Sequence, residues 1–246
     1  VEVAHKVAER LGYRCLSRDV LLEASERYNI PEIKLERAIA DAPSIVERLT
    51  HGKRAYVAYI RAALLRNFVD DDVVYHGLGG HFFVQNIAHA FKVRILADQE
   101  ERVAIVVDRD GVSEDEARQI LARSDRARRQ WGLRLYGLDP EDPALYDVVI
   151  HVGKMGTDGA ADTICSMVGQ QAFETTEASQ AALEDLALAA SIEAIAMEME
   201  LEQYGPEVEA SGGEVRIRFS SPPRVRGGSF SEFRAHFIDD LRRRLL

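Results

Sequence analysis

Over the first 174 positions the apolar residues switch repeatedly between helical and strand spacing. Val1, Ala4, Val7, Ala8 and Leu11 form one helical stripe, and Gly12 stands where that helix would end. Tyr13 to Ser17 reads as a short strand, and a helix is expected from about Asp19 to Tyr28. The stretch from Pro31 to Ser44, broken by Pro31 and Pro43, fits neither period. Tyr56, Tyr59, Ile60, Ala63 and Leu64 predict a helix from Tyr56 to Asn67. Asp72 to His76, closed by Gly77, reads as a buried strand, Phe82 to His89 as a helix, and Phe91 to Ala97 as a strand. Helices are expected from Gln99 to Arg109 and from Ser113 to Arg129, the second opened by a capping box at Ser113-Glu114-Asp115-Glu116. Tyr146 to Val152 has the continuous apolar centre of a parallel strand covered on both faces, and Asp158 to Phe173 returns to helix. Strands alternating with helices predict an α/β fold, a parallel sheet with helices on both faces and ligands at the carboxyl ends of its strands.

The pattern changes after Glu174. Thr175 to Glu202 is rich in Ala, Glu, Leu and Met and reads as one or two helices. Glu207 to Ala210 and Glu214 to Ser220 flank Ser211-Gly212-Gly213, a hairpin signal, and an amphipathic helix runs from Phe230 to Leu246. The expected domains are 1–174 and a small α-β-β-α module at 175–246. The opening stripe begins inside a helix, so residues before Val1 are expected in the native chain.

Composition narrows the function classes. With 41 Asp+Glu against 31 Lys+Arg, the net charge of −10 excludes a general nucleic-acid binder, which needs a basic field. No run reaches the length of a membrane span and no signal peptide is visible, so a cytoplasmic protein without a membrane partner is expected. Cys15 and Cys165 match no metal spacing and are expected to be small buried hydrophobes in a reducing compartment.

Against that acidic background, seven arginines lie between Arg109 and Arg134. Arginine presents a planar fork of donors that matches phosphate and stays charged at physiological pH. Arg118 and Arg129 are eleven residues apart, about three helical turns, and so share a face; Arg126 shares it less well. Two readings stand side by side: a phosphate-binding face, or a solvated helix neutralised by acids such as Asp115, Glu116 and Asp125.

His76-Gly77-Leu78-Gly79-Gly80-His81 follows a strand and precedes a helix, where a backbone turns sharply or passes close to a ligand. It is neither a Gly-Lys-Ser/Thr phosphate loop nor Gly-x-Gly-x-x-Gly. His76, His81 and His89 match no zinc signature and are expected to be solvated or core histidines, so no metal ligand is assigned. Asp98, Glu100 and Glu101 are expected at a helix start, where acids suit the dipole.

Taken in order, these segments resemble the cytidylate-kinase-like family of P-loop nucleoside monophosphate kinases. The likeness runs from Val1 to about Ile164. Ala4 to Leu16 is similar to the helix after the phosphate loop and the next strand. Asp72 to His81 is similar to the strand and glycine turn that hold the acceptor nucleotide. Val93 to Asp98, followed by Arg102, resembles the core strand leading to the lid. Arg109 and Ser124-Asp125-Arg126-Ala127-Arg128-Arg129 resemble the lid, expected at about 109–134. Tyr136-Gly137-Leu138-Asp139 and Tyr146-Asp147-Val148-Val149-Ile150 resemble the closing signature.

The resemblance implies transfer of the γ-phosphoryl group of ATP, with Mg²⁺, to CMP or dCMP. It implies catalytic lid arginines at Arg109, Arg118, Arg126 and Arg129. Acceptor contacts are implied at Ser17, Arg18 and Arg61, with Gly77, Gly79 and Gly80 letting the backbone approach the base. The first strand and the phosphate loop with its lysine are absent from the sequence. At His76-Gly77-Leu78 the chain departs from relatives that carry an arginine after the glycine, which bears on the acceptor's identity. The tail from about Ser179 faintly resembles a BON-type module, an expected surface for self-association or a protein partner. Two alternatives are a non-catalytic nucleotide-binding regulatory protein on the same scaffold, and an unrelated α/β protein with a surface arginine helix.

Overall fold

The computed structural model describes residues 1–17, 19–29, 52–77, 79–223 and 230–245. They form two compact units. The first contains described residues from 1–18 and 72–176, and the second those from 19–29, 52–71 and 177–245. The helices at 19–27 and 52–69, grouped with 1–174 by sequence, therefore belong to the second unit. The irregular stretch Pro31 to Ser44 lies outside the described residues.

The first unit starts with α1 (Glu2–Leu11), which ends on Gly12 as expected, and β1 (Arg14–Leu16). It resumes with β2 (Val73–Tyr75), α4 (Gly80–Phe83), β3 (Val93–Leu96), α5 (Gln99–Asp110), α6 (Glu114–Leu135), β4 (Val148–His151) and α7 (Gly156–Val168). β1 pairs with β2, and β3 with β4, both in parallel register. One apolar core serves both pairs. Val3 and Val7 of α1, Ile150 of β4 and Ala160, Ala161 and Ile164 of α7 are buried in it, with Val74, Val93 and Val148 packed alongside. Parallel strands joined through helices on a shared core are the α/β arrangement that the alternating pattern predicts.

Two expectations need correction. Only Ile150 of β4 is buried, and Val149 is 39% exposed, so the apolar run at 146–152 is not a strand covered on both faces. Each parallel pair has two strands, and α7 covers the Ile150 side. The helix expected over 82–89 is only Gly80–Phe83. Beyond it, Ile87 donates to the Val84 carbonyl and Ala90 to the Ile87 carbonyl. Such three-residue turns repeat apolar side chains at the same spacing as a helix, which is why the pattern misleads.

α5 and α6 form a helical hairpin around Val103, Val106 and Ala117. The Ser113–Glu116 capping box is present in both directions and starts α6 where the sequence places it. On the surface, Lys6 and Arg10 of α1 reach Asp158 of α7 at 2.6 and 2.7 Å.

The second unit contains α2 (Asp19–Arg27), α3 (Gly52–Val69), α8 (Glu177–Glu198), β5 (Pro206–Ser211), β6 (Glu214–Phe219) and α9 (Phe230–Leu245). Buried alanines on α3 and α8, including Ala58, Ala62, Ala63, Ala190 and Ala194, let these two helices approach closely. β5 and β6 form the expected antiparallel hairpin, and Gly212 and Gly213 both take the positive φ that its turn requires. Phe219, Phe233 and Phe237 close the core with Ile192 and Ile195 of α8. Among the described residues no helix is long and apolar enough to cross a membrane.

Candidate functional site

Polar groups stand at the carboxyl ends of the four parallel strands. Ser17 follows β1 and is half-buried, and His76 and Gly77 follow β2. The His76 N–H donates to the Leu16 carbonyl at 3.0 Å, extending the β1–β2 ladder by one residue. At the neighbouring pair, Asp98 follows β3 and His151 ends β4, with His151 Nε2 3.4 Å from Asp98 Oδ1. Asp98 occupies the N-cap of α5 and Glu100 and Glu101 its first turn, the helix start expected for these acids, although the Asp98 side chain makes no capping hydrogen bond.

The glycine turn rests on an aromatic platform. Gly79, at φ +84°, and Gly80 are both buried. A Cβ on Gly79 would lie 2.2 Å from Trp131 Cη2 of α6, so glycine is required there by space as well as by backbone angle. Phe82 stacks on Tyr136 with ring centroids 4.8 Å apart, and Trp131 and Leu145 are buried in the same cluster. Gly132 lets α6 approach: a Cβ there would meet the Leu138 carbonyl oxygen at 2.8 Å and Phe82 at 3.0 Å.

His81 completes this platform. Its ring stacks on Tyr146 at 4.9 Å between centroids, and the Tyr146 hydroxyl, which donates to the Pro140 carbonyl, lies 3.3 Å from its Nε2. Burial first, then the nearby charges of Arg94 and Lys92, push the His81 pKa down to about 4. His81 is therefore neutral at pH 7. The Arg94 guanidinium lies 5.9 Å from the Tyr146 ring centroid. The expectation of a core histidine fits His81.

The four arginines expected in a lid separate along the α5–α6 hairpin. Arg109, in the last turn of α5, is exposed and binds Asp110 in a two-point contact at 2.7 Å. Arg118 bridges to Glu100 of α5 at 2.8 Å and to Glu114 at 3.2 Å. Arg118 lies thirteen residues before Trp131, about 20 Å along α6 from the residue that meets the glycine turn. Arg126 is exposed and makes no ion pair among the described residues. Arg129 is also exposed, and its guanidinium meets Asp139 Oδ2 at 2.7 Å, with Glu141 3.9 Å away. The N–H of Glu141, then Arg129, holds the Asp139 carboxyl below the usual carboxylate range. Arg118 and Arg129 share a face, but eleven residues separate them by about 16 Å along the axis, too far for one phosphate group.

Of the expected acceptor residues, Ser17, Gly77, Gly79 and Gly80 all belong to the first unit. Arg18 lies outside the described residues. Arg61 is on α3 in the second unit, where its guanidinium pairs with Glu193 of α8 at 2.8 Å. The sequence alone does not single out Trp131 and Gly132 as neighbours of the glycine turn. The lone tryptophan of the chain, two positions after Arg129 and inside the arginine run, was the available signal for the first.

In sequence, the model of the cytidylate kinase-like family matches residues 1–154. Cytidylate kinase of Sulfolobus acidocaldarius is 24% identical over 170 residues, covering 69% of this chain and 87% of that protein. Cytidylate kinase of Ignicoccus hospitalis is 28% identical over 170 residues, covering 68% of this chain and 90% of that protein. In fold, the chain resembles the crystal structure of an uncharacterized protein from Eubacterium ventriosum, with a TM-score of 0.51 at 19% identity over 68% of this chain and 89% of that one. The match of residues 1–154 takes in both parallel strand pairs, the glycine turn and the arginine hairpin, and the chain belongs to the cytidylate kinase-like family.

Proposed function

We propose that the protein is a nucleoside monophosphate kinase that transfers the γ-phosphoryl group of ATP to CMP or dCMP. ATP enters as its Mg²⁺ complex, so the ion is part of the substrate. An oxygen of the acceptor's 5′-phosphate attacks Pγ, the bond from Pγ to the β-phosphate oxygen breaks, and ADP leaves. Such a reaction asks the protein mainly for positioning and for neutralisation of charge on the transferring group.

One observation carries this reading. Trp131 joins the arginine helix to the glycine turn, its ring filling the space above Gly79. A movement of α6 relative to the turn is then felt where the acceptor is proposed to lie, beside Ser17, Gly77, Gly79 and Gly80. Arg126 and Arg129 lie on the same half of α6 as Trp131 and are the cations proposed to meet the phosphates. Arg129 would exchange Asp139 for a phosphate oxygen, gaining a second charged fork contact. Closure of such a helix over the phosphates would exclude water from the reaction. The sequence holds no glycine-rich loop ending in Lys-Ser/Thr, so the backbone cradle for the donor phosphates is assigned to none of these residues.

The test is ADP formation by the intact gene product from MgATP with CMP, dCMP, UMP, AMP and GMP offered singly. The expected result is acceptor-dependent ADP, fastest with CMP or dCMP. ADP formed fastest with another monophosphate reassigns the acceptor, and no acceptor-dependent ADP overturns the kinase reading.

A further inference from the structure

His5, Cys15 and His76 come together from three separate elements of the first unit. One ligand atom of each lies within 4.8 Å of the other two. His5 is on α1, Cys15 in the middle of β1, and His76 directly after β2. Cys15 pairs in register with Val74, and the ladder runs on to the hydrogen bond from His76 N–H to Leu16. Strand side chains alternate, so Cys15, Val74 and His76 share one face of the pair. α1 packs against β2, which brings the His5 ring to 5.3 Å from the His76 ring, centroid to centroid. The backbone positions of all three donors are thus fixed by a ladder and a packed helix.

We propose that these residues form a binding site for a borderline-soft divalent transition ion of the zinc class. Two imidazoles and one thiolate are the donors that such ions prefer, whereas Mg²⁺ and Ca²⁺ take oxygen ligands. Tetrahedral zinc, with bonds of about 2.3 Å to sulfur and about 2.1 Å to nitrogen, holds its donors about 3.5 Å apart. The cluster therefore closes on an ion by a shift of roughly 1 Å, within reach of side-chain rotation. His5 is exposed, so the fourth position opens to solvent and takes water or an exchangeable ligand. Binding deprotonates Cys15 and holds the exits of β1 and β2 together, next to Ser17 and Gly77. The proposed site departs from the expectation that Cys15 is merely a small buried hydrophobe and that His76 takes no part in metal ligation. No short-range signature announces it, because ten residues separate His5 from Cys15 and sixty-one separate Cys15 from His76.

The test uses Co²⁺ alone as the probe, titrated into untagged, reduced intact protein with no nucleotide present. The expected result is one tightly bound Co²⁺ with a thiolate-to-cobalt charge-transfer band and tetrahedral d–d absorption. Zn²⁺ bleaches both and excess Mg²⁺ leaves them. Cys15→Ser abolishes the charge-transfer band and Cys165→Ser keeps it. His5→Ala and His76→Ala each weaken Co²⁺ by about tenfold or more. His5→Ala changes an exposed helix position and serves where His76→Ala fails to fold. Absence of bound Co²⁺, a band that survives Cys15→Ser, or a band lost in Cys165→Ser overturns the proposal. None of these readings depends on catalysis, so the result stands apart from the kinase assay.

Discussion

The indole of Trp131 fills the space that a Cβ on Gly79 would need, with Cη2 only 2.2 Å from that point. Gly79 is the N-cap of α4, and Trp131 lies in the last two turns of α6, 52 positions later in the chain. The contact ties a backbone that must stay bare to an aromatic ring at the end of a cationic helix. It is a direct contact between the two features that the family resemblance singles out.

Gly79→Ala is therefore expected to cost about 2–4 kcal/mol, from a left-handed backbone angle and from overpacking against the indole. Urea unfolding monitored by circular dichroism measures the loss. In a Trp131→Leu background the steric part disappears, and the double-mutant cycle should return a coupling of about 1–2 kcal/mol. Additive costs would show that the indole yields freely and that the turn does not depend on it.

His81 makes stability depend on pH. Its folded pKa of about 4 lies below the ordinary histidine value of 6.5, so the unfolded chain binds the proton more readily. The contribution is complete above about pH 6.5 and is lost as pH falls from there toward 4, to at most about 2–3 kcal/mol. Between pH 6.5 and 5 most carboxylates stay ionised, so the His81 share can be read there. His81→Gln should flatten the stability profile in that window. A variant with the same slope as the parent would remove His81 as the cause.

Much of the fold was legible because local rules and tertiary packing agree. The Ser113–Glu116 box, Gly12 and the Ser211-Gly212-Gly213 turn each satisfy backbone groups with nearby residues, and each is found where the sequence puts it. The parallel strands were legible as strands but not in their coverage, because Val149 and Ile150 are equally apolar and only one faces α7. The grouping of α2 and α3 with α8 was hidden for another reason. The buried alanines that permit close helix packing look the same in sequence whichever helix they meet. At the site, the glycines and arginines were visible by type. Which arginines stand near the glycines depended on Trp131 and Gly132, whose importance comes from shape. The His5–Cys15–His76 cluster depends wholly on strand register and helix placement, so no linear pattern encodes it.

In the second unit, the Asp185 carboxylate accepts the backbone N–H groups of Gly212 and Gly213 at 2.6 and 2.9 Å. It holds the β5–β6 turn to α8. Asp185→Ala should cost about 1–2 kcal/mol, the scale of losing hydrogen bonds to a charged acceptor that is partly hydrated. Amide exchange at Gly212 and Gly213 should accelerate while the β3–β4 ladder keeps its protection. Unchanged exchange at the two glycines would mean that the flanking Ser211–Glu214 pairing, and not Asp185, sets the turn.

Arg129 offers the sharpest test of the kinase proposal. Its side chain is 53% exposed and its guanidinium engaged with Asp139, so removing it should barely move the melting temperature. If it turns from Asp139 to the transferring phosphate, Arg129→Ala should lower kcat by about 10- to 1,000-fold, below the full effect of a lone arginine finger because Arg126 lies one turn away. Arg129→Lys keeps the charge but loses the fork and should fall between the two. Arg118→Ala, about 16 Å along the helix, should lower kcat less. Its ion pairs with Glu100 and Glu114 give it a task in joining α5 to α6. Steady-state kinetics with MgATP and CMP on the intact product decide the matter. Equal losses at Arg118 and Arg129 would mean that both arginines act by holding the hairpin together, and an unaltered Arg129→Ala would take that arginine out of the chemistry.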